Sequence, residues 1–239
     1  MLDTSMTINN GELHMNRPRI GITTSYENGR QHLDHAYVRA VEAAGGLPLI
    51  VPVLESEDAV AALTALLDGI IITGGPAITT NLIGDLPNDL PPTDPHRVRM
   101  DTAIFSAMND RPVLGICYGM QFINAQAGGS IYADVHAQRP GALLHSAGRG
   151  GTEHSANLSS GSHLQQVFGT NRMVVNTYHI QAIAQVGAGL KAVAHGPDGV
   201  IEAIESTDGR LIGVQFHPEK MLEQTLPLFQ DFVERCRKA

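Results

Sequence analysis

Residues 112–121 read P-V-L-G-I-C-Y-G-M-Q, and this stretch decides the fold. Pro112 to Ile116 is a short apolar run without polarity alternation, the pattern of a strand buried on both faces. Met120 to Gln126 has helical spacing. Between them, Gly115 and Gly119 flank Cys117 two residues to either side, leaving room for a sharp strand–turn–helix elbow. An elbow of this kind lifts its central side chain off the sheet and onto a helix N-terminus. There, backbone N–H groups and the helix dipole favour a thiolate, and the Tyr118 N–H can face an oxyanion. A buried core thiol stands as the alternative until a base is found.

Working outward, the same run-and-helix alternation recurs. Arg19 to Thr24 (R-I-G-I-T-T) predicts a strand, and Gln31 to Ala44 a helix stopped by Gly45-Gly46. Pro48 to Val53 and Gly69 to Thr73 predict two more strands. Ser56 is placed to cap a helix over Ala59 to Leu67, and His96 to Asn109 predicts the helix before the elbow strand. Strands alternating with helices imply a parallel sheet covered on both faces, with ligands at the carboxyl ends of the strands. The second half differs. Val174-Val175, Ala192 to Ala194, Val200 to Ile204 and Leu211 to Phe216 are short strands, with Pro197-Asp198-Gly199 and Asp208-Gly209 as hairpin connectors. They predict antiparallel strands added to the sheet, and Met221 to Arg237 a closing helix.

Two further stretches bear on chemistry. Leu211 to Phe216 runs into His217-Pro218-Glu219. If the strand continued, positions i and i+2 would share a face, bringing a carboxylate beside an imidazole. A nucleophile, a base and an orienting acid need that arrangement. Gly74-Gly75-Pro76 follows another parallel strand and opens on the same edge as Cys117. Its Gly75 N–H is a candidate second oxyanion donor, although a plain turn would look the same.

Composition sets the outer bounds. The chain has 239 residues, 43% of them apolar and 17% charged, with a net charge of −8. That is an ordinary globular balance and lacks the basic face that nucleic acid requires. No apolar run spans a membrane. Residues 1–16 are polar and aperiodic and read as a disordered leader, leaving 17–239 as one domain. The two cysteines, Cys117 and Cys236, form no disulfide framework, which points to the cytoplasm. The eleven histidines show no metal-ligand spacing, and His145, His154 and His163 lie in Gly/Ser-rich sequence that reads as loop. Neither a metal nor an organic cofactor is expected.

Taken together, the elbow, the Gly128-Gly129 pair, Val175 to Ala182 (V-N-T-Y-H-I-Q-A), Pro197 to Glu205 (P-D-G-V-I-E-A-I-E) and Gly213 to Glu219 (G-V-Q-F-H-P-E) resemble the class I glutamine amidotransferase superfamily. The likeness is closest to its γ-glutamyl-γ-aminobutyrate hydrolase branch, peptidase family C26. The resemblance implies a flavodoxin-like three-layer α/β sandwich, a mostly parallel sheet with added antiparallel strands. It implies Cys117 as nucleophile, His217 as base, Glu219 as orienter, and the Gly75 and Tyr118 N–H groups as oxyanion hole. It suggests that Gln121 and the Tyr178-His179 segment contact the glutamyl half of a small γ-glutamyl substrate. The amine half is expected toward Pro76 to Asp94, a stretch outside the likeness. A homodimer is compatible with such a chain. Ala77 stands where the branch usually has an acid, and Ile180 where it often has a second histidine. Three other readings stay open: a glutaminase subunit feeding ammonia to a synthase, an unrelated elbow hydrolase whose acid comes from a separate loop, and a catalytically silent binding homologue.

Overall fold

The computed structural model describes residues 17–238; the expected leader, 1–16, lies outside them. The chain enters on β1 (Arg19–Thr23) and then departs from the sequence expectation. Instead of a helix from Gln31, β2 (Ser25–Glu27) turns onto β3 (Arg30–His32) as a hairpin. The cause is Asn28-Gly29, which accept φ of 50° and 75°. Two positive-φ residues make the tight turn that matches strand twist. The helix α1 (His35–Ala43) begins only after Asp34, whose carboxylate accepts from the Ala36 N–H at 2.9 Å.

From there the alternation runs as expected through β4 (Leu47–Val51), α2 (Glu57–Thr64) and β5 (Gly69–Ile72), and a short strand outside the expectation follows, β6 (Leu82–Ile83). Next come α3 (Pro95–Ala107), β7 (Val113–Ile116) and α4 (Tyr118–Gln126). Ser56 caps α2 through a 3.1 Å bond from Ala59 N–H to its hydroxyl. The second half contains β8 (Ser130–Tyr132), α5 (Val135–Gln138), β9 (His154–Leu158), α6 (His163–Phe168), β10 (Arg172–Val175), β11 (Ala182–Gln185), β12 (Leu190–His195), β13 (Ile201–Ser206) and β14 (Leu211–Val214). The last helix is α7 (Leu222–Lys238). Two of the histidines expected in loops therefore open regular elements, His154 on β9 and His163 on α6. The third, His145, does sit in a loop but is buried.

Nine strands form one sheet in the order β10-β9-β12-β13-β14-β7-β5-β1-β4. The half from β14 to β4 is parallel throughout, and the other four strands extend it antiparallel. Helices cover both faces, and β5 shows how. Ile71 packs into a core with Tyr37 and Val41 of α1 and Phe229 and Phe232 of α7. Ile70 and Ile72 point the other way, into a core with Ile104 of α3 and Met120 and Ile123 of α4. The alternation follows from the two-residue period of a strand, and burying each isoleucine stabilises the fold by about 1.5–3 kcal/mol. The result is the three-layer flavodoxin-like α/β sandwich expected from the sequence. Strand β14 joins its two halves, pairing parallel with β7 and antiparallel with β13.

Candidate active site

Cys117 links β7 to α4 with φ 53° and ψ −104°, a backbone region that L-residues avoid. The turn closes because the flanking glycines lack side chains. A Cβ on Gly119 would sit 2.1 Å from the Ile72 carbonyl oxygen, and one on Gly115 would sit 2.6 Å from the Gly119 backbone. Cys117 is 6% exposed, and its N–H donates to the Val214 carbonyl of β14 at 2.8 Å. The first N–H groups of α4, that of Tyr118 included, have no acceptor within the helix.

His217 and Glu219 meet as expected, but by a different route. Strand β14 stops at Val214, and His217 precedes a 3-10 turn over Pro218–Lys220. That turn, not strand alternation, carries Glu219 back to His217, with Nδ1 to Oε1 at 2.7 Å. Glu219 is fully buried and the His217 ring nearly so. Burial works against the imidazolium, yet hydrogen bonding to Cys117 and Glu219 outweighs it and raises the pKa of His217 to about 10. Asn176 fixes the main chain of His217. Its Nδ2 donates to the His217 carbonyl at 2.9 Å, and its Oδ1 accepts from the His217 N–H at 2.8 Å.

The Gly74-Gly75 loop is oriented by a residue that sequence reasoning missed. Arg97 of α3, fully buried, donates to the carbonyls of Thr73 at 2.9 Å and Gly74 at 3.0 Å. Its own guanidinium is held by Asp101 at 3.2 Å and lies 4.3 Å from the Tyr118 ring centre. The Gly74 N–H donates to the Tyr37 hydroxyl at 3.0 Å. No acceptor among the described residues takes the Gly75 N–H. A Cβ on Gly75 would meet Arg97 Nη1 at 2.3 Å, so a side chain there would displace the guanidinium from the loop.

The expected glutamyl contacts sort differently. Gln121 spends its amide N–H groups on the Gln181 carbonyl at 3.0 Å and on Gln215 Oε1 at 3.1 Å. Gln215 in turn donates to Cys117 Sγ at 3.6 Å. Gln121 thus stands behind the thiol and acts on it through Gln215, with no N–H left for a substrate. Tyr178 is 50% exposed and rests edge-on against the His217 ring, 5.7 Å between centres. His179, its neighbour, turns inward and is buried beside His145 and Glu202. Burial, reinforced by His145, pushes its pKa well below the ordinary value. Its imidazole therefore does not reach the substrate side.

Next to His217 opens a cavity of about 160 Å³, lined by Ser25, His32, Asp34, Tyr37, Gly74 and Lys220 among others. Much of its wall comes from the β2–β3 hairpin and the start of α1, and no residue of the expected Pro76 to Asp94 stretch lines it. Ala77 is buried and bridges to Pro92 within that stretch, so its backbone is engaged internally. The arrangement brings together a cysteine on a helix N-terminus and an imidazole backed by a carboxylate. These are the parts of a thiol-based acyl transfer.

Comparison with known proteins gives a consistent result. The peptidase C26 family profile matches residues 13–219. The γ-glutamyl-γ-aminobutyrate hydrolase PuuD of Escherichia coli K12 is 30% identical over 243 residues, covering 93% of this chain and 95% of that protein. A candidate glutamine amidotransferase of Schizosaccharomyces pombe is 32% identical over 240 residues, covering 93% and 88%. Among solved structures, a candidate GMP synthase subunit from Thermoplasma acidophilum superposes with a TM-score of 0.64 at 19% identity, covering 94% of this chain and 96% of that one.

Proposed function

The chain belongs to the peptidase C26 family, and we propose that it hydrolyses the γ-glutamyl amide bond of a γ-glutamyl amine such as γ-glutamyl-γ-aminobutyrate. The observation that supports this most directly is the juxtaposition of Cys117, forced to φ 53° at the end of β7, with the His217–Glu219 pair that follows the adjacent β14.

In this reading the Cys117 thiolate attacks the γ-carbonyl. The Gly75 and Tyr118 N–H groups hold the oxyanion, and loss of one such donor typically costs about 10²–10³ in rate. The His217 imidazolium gives its proton to the departing amine as the C–N bond breaks, leaving a γ-glutamyl thioester. Neutral His217 then takes a proton from water, which attacks the thioester and releases glutamate and the thiol. Glu219 keeps the imidazole oriented and supports its charge. The leaving amine must face the group that protonates it, so the amine half belongs in the cavity beside His217. Lys220, on that cavity's wall, suits an acidic amine half such as γ-aminobutyrate.

The likeness to PuuD favours a hydrolase acting alone. The test is to assay the purified chain without any added protein, comparing kcat/KM for γ-glutamyl-γ-aminobutyrate and for glutamine. The γ-glutamyl amine is expected to be cleaved more efficiently. Negligible turnover of every γ-glutamyl amine, with glutaminase activity appearing only when a synthase is added, would overturn the reading in favour of an ammonia-supplying subunit. Among the described residues, no helix is long and apolar enough to cross a membrane.

A further inference from the structure

The motif residues outside the proposed chemistry converge on a second, buried centre. Glu202 of β13 is surrounded by three imidazoles. His154 Nε2 lies 3.0 Å from Glu202 Oε1, His145 Nδ1 3.6 Å and His179 Nε2 3.8 Å. All four side chains are almost completely buried. They come from four separate segments: the loop before β9, the first residue of β9, the stretch between β10 and β11, and β13.

Hydrogen bonding accounts for His154 on Glu202 but not for the other two imidazoles. The His179 Nδ1 lies 2.9 Å from the Gln181 carbonyl, which can only accept, so Nδ1 carries the proton and Nε2 presents a lone pair to Glu202. His145 Nε2 lies 2.8 Å from Asp198 Oδ2, so in the neutral ring Nδ1 likewise presents a lone pair. Lone pairs aimed at one carboxylate repel it unless a cation lies between them. Consistent with this, His179 Nε2 and Glu202 Oε2 are buried without a hydrogen-bond partner, a costly state for polar atoms.

We propose that His145, His154, His179 and Glu202 form a binding site for a divalent transition-metal ion, best matched by zinc. Three imidazole nitrogens and one carboxylate oxygen suit zinc in a tetrahedral shell, with bonds of about 2.0–2.2 Å and donors roughly 3.3 Å apart. The donor atoms of His145, His154 and Glu202 already lie within 4.8 Å of one another, and His179 Nε2 completes the set at 3.8 Å from Glu202 Oε1. The outer shell is also built. Asp198 backs His145 and is itself held by the N–H groups of Leu143 at 2.8 Å and Val200 at 3.1 Å, while the Gln181 carbonyl backs His179. A site this enclosed leaves no open coordination position, so its role is structural. It pins the segment from Asn176 to Gln181, one end of which grips His217 while the other packs on Gln121.

The test uses the full chain and does not depend on its enzymatic activity. Metal content is measured by plasma mass spectrometry on protein purified without chelator. The protein is then stripped with a chelator and titrated with cobalt(II) or zinc. One equivalent bound per chain, the visible ligand-field bands of tetrahedral cobalt and a higher Tm with zinc are expected. Asp198→Asn, which leaves the four ligands in place, is expected to weaken zinc about 10–100-fold. His179→Ala is expected to abolish the cobalt bands. A stripped, folded parent chain that gives no cobalt bands and no Tm change with zinc would overturn the site. Undiminished bands in folded His179→Ala would put the metal elsewhere and overturn it equally.

Discussion

Asn176 clamps the main chain of His217 from both sides, its one amide donating to the carbonyl and accepting from the N–H. The proposed base is thereby fixed by a residue whose side chain hydrogen-bonds neither to Cys117 nor to Glu219. Asn176→Ala removes both bonds and leaves two backbone groups partly buried and unpaired, at about 1–3 kcal/mol each. We expect a lower Tm and a kcat reduced about tenfold or more, with KM changed much less. An altered KM with kcat intact would show that Asn176 serves binding and not the position of the base.

The two cysteines should separate cleanly in alkylation. Both are buried, but in different settings. Cys236 lies on α7, where burial pushes its thiol up to about 12 despite Arg235 beside it. Cys117 sits on a helix N-terminus with the imidazolium of His217 as partner. Mass-spectrometric labelling of the native chain at neutral pH is expected to modify Cys117 rapidly and Cys236 only after unfolding. Fast Cys236 with inert Cys117 would remove the nucleophile.

Glu219→Gln tests the charge on the base. The His217 pKa stands at about 10, against an ordinary value of 6.5. Between these limits the folded chain holds a proton that the unfolded chain releases, so stability contributed by this group is full below about 6.5 and is lost as pH rises through about 10. Removing the carboxylate's charge lowers the folded pKa and shrinks that window. The alkaline limb of kcat/KM should move to lower pH in the variant, and its chemical unfolding free energy should fall less steeply over pH 6.5–10. An unmoved limb would assign it to another group.

Gly119→Ala tests the elbow itself. The added methyl would lie 2.1 Å from the Ile72 carbonyl, a backbone atom in the middle of the sheet. Overpacking of this kind typically costs about 1–3 kcal/mol or more. A reduced denaturation midpoint is expected, with activity lost through displacement of Cys117. A variant as stable and active as the parent would show that the turn is not tightly constrained.

What is legible in the sequence is local. The Gly-x-Cys-x-Gly frame, the Ser56 cap and the His-Pro-Glu triplet each act over a few residues, and their physics is visible in the string. The Asn28-Gly29 hairpin is equally local, but an apolar helical spacing overlaps it and masks that the helix begins only after Asp34. Arg97 is not legible, because its value lies in carbonyls of a loop far away in sequence. The same holds for the histidines around Glu202: they share no spacing, β12 lies between the strands of His154 and Glu202, and a loop-to-loop bond from His179 N–H to the His145 carbonyl joins the other two. Gln121 is visible as a polar residue near the elbow, yet nothing local reveals that Gln215 stands between it and the thiol.

The register of β14 on β7, with Val214 opposite Ile116, has a consequence for how such a protein can change. Thiol and imidazole leave neighbouring strands, so their separation is inherited from a ladder whose two sides are about 4.8 Å apart. The β2–β3 hairpin on the cavity wall is no part of that ladder. It can be lengthened, shortened or exchanged without changing the spacing of Cys117 and His217, which makes the hairpin an evolvable part and the ladder a fixed gauge.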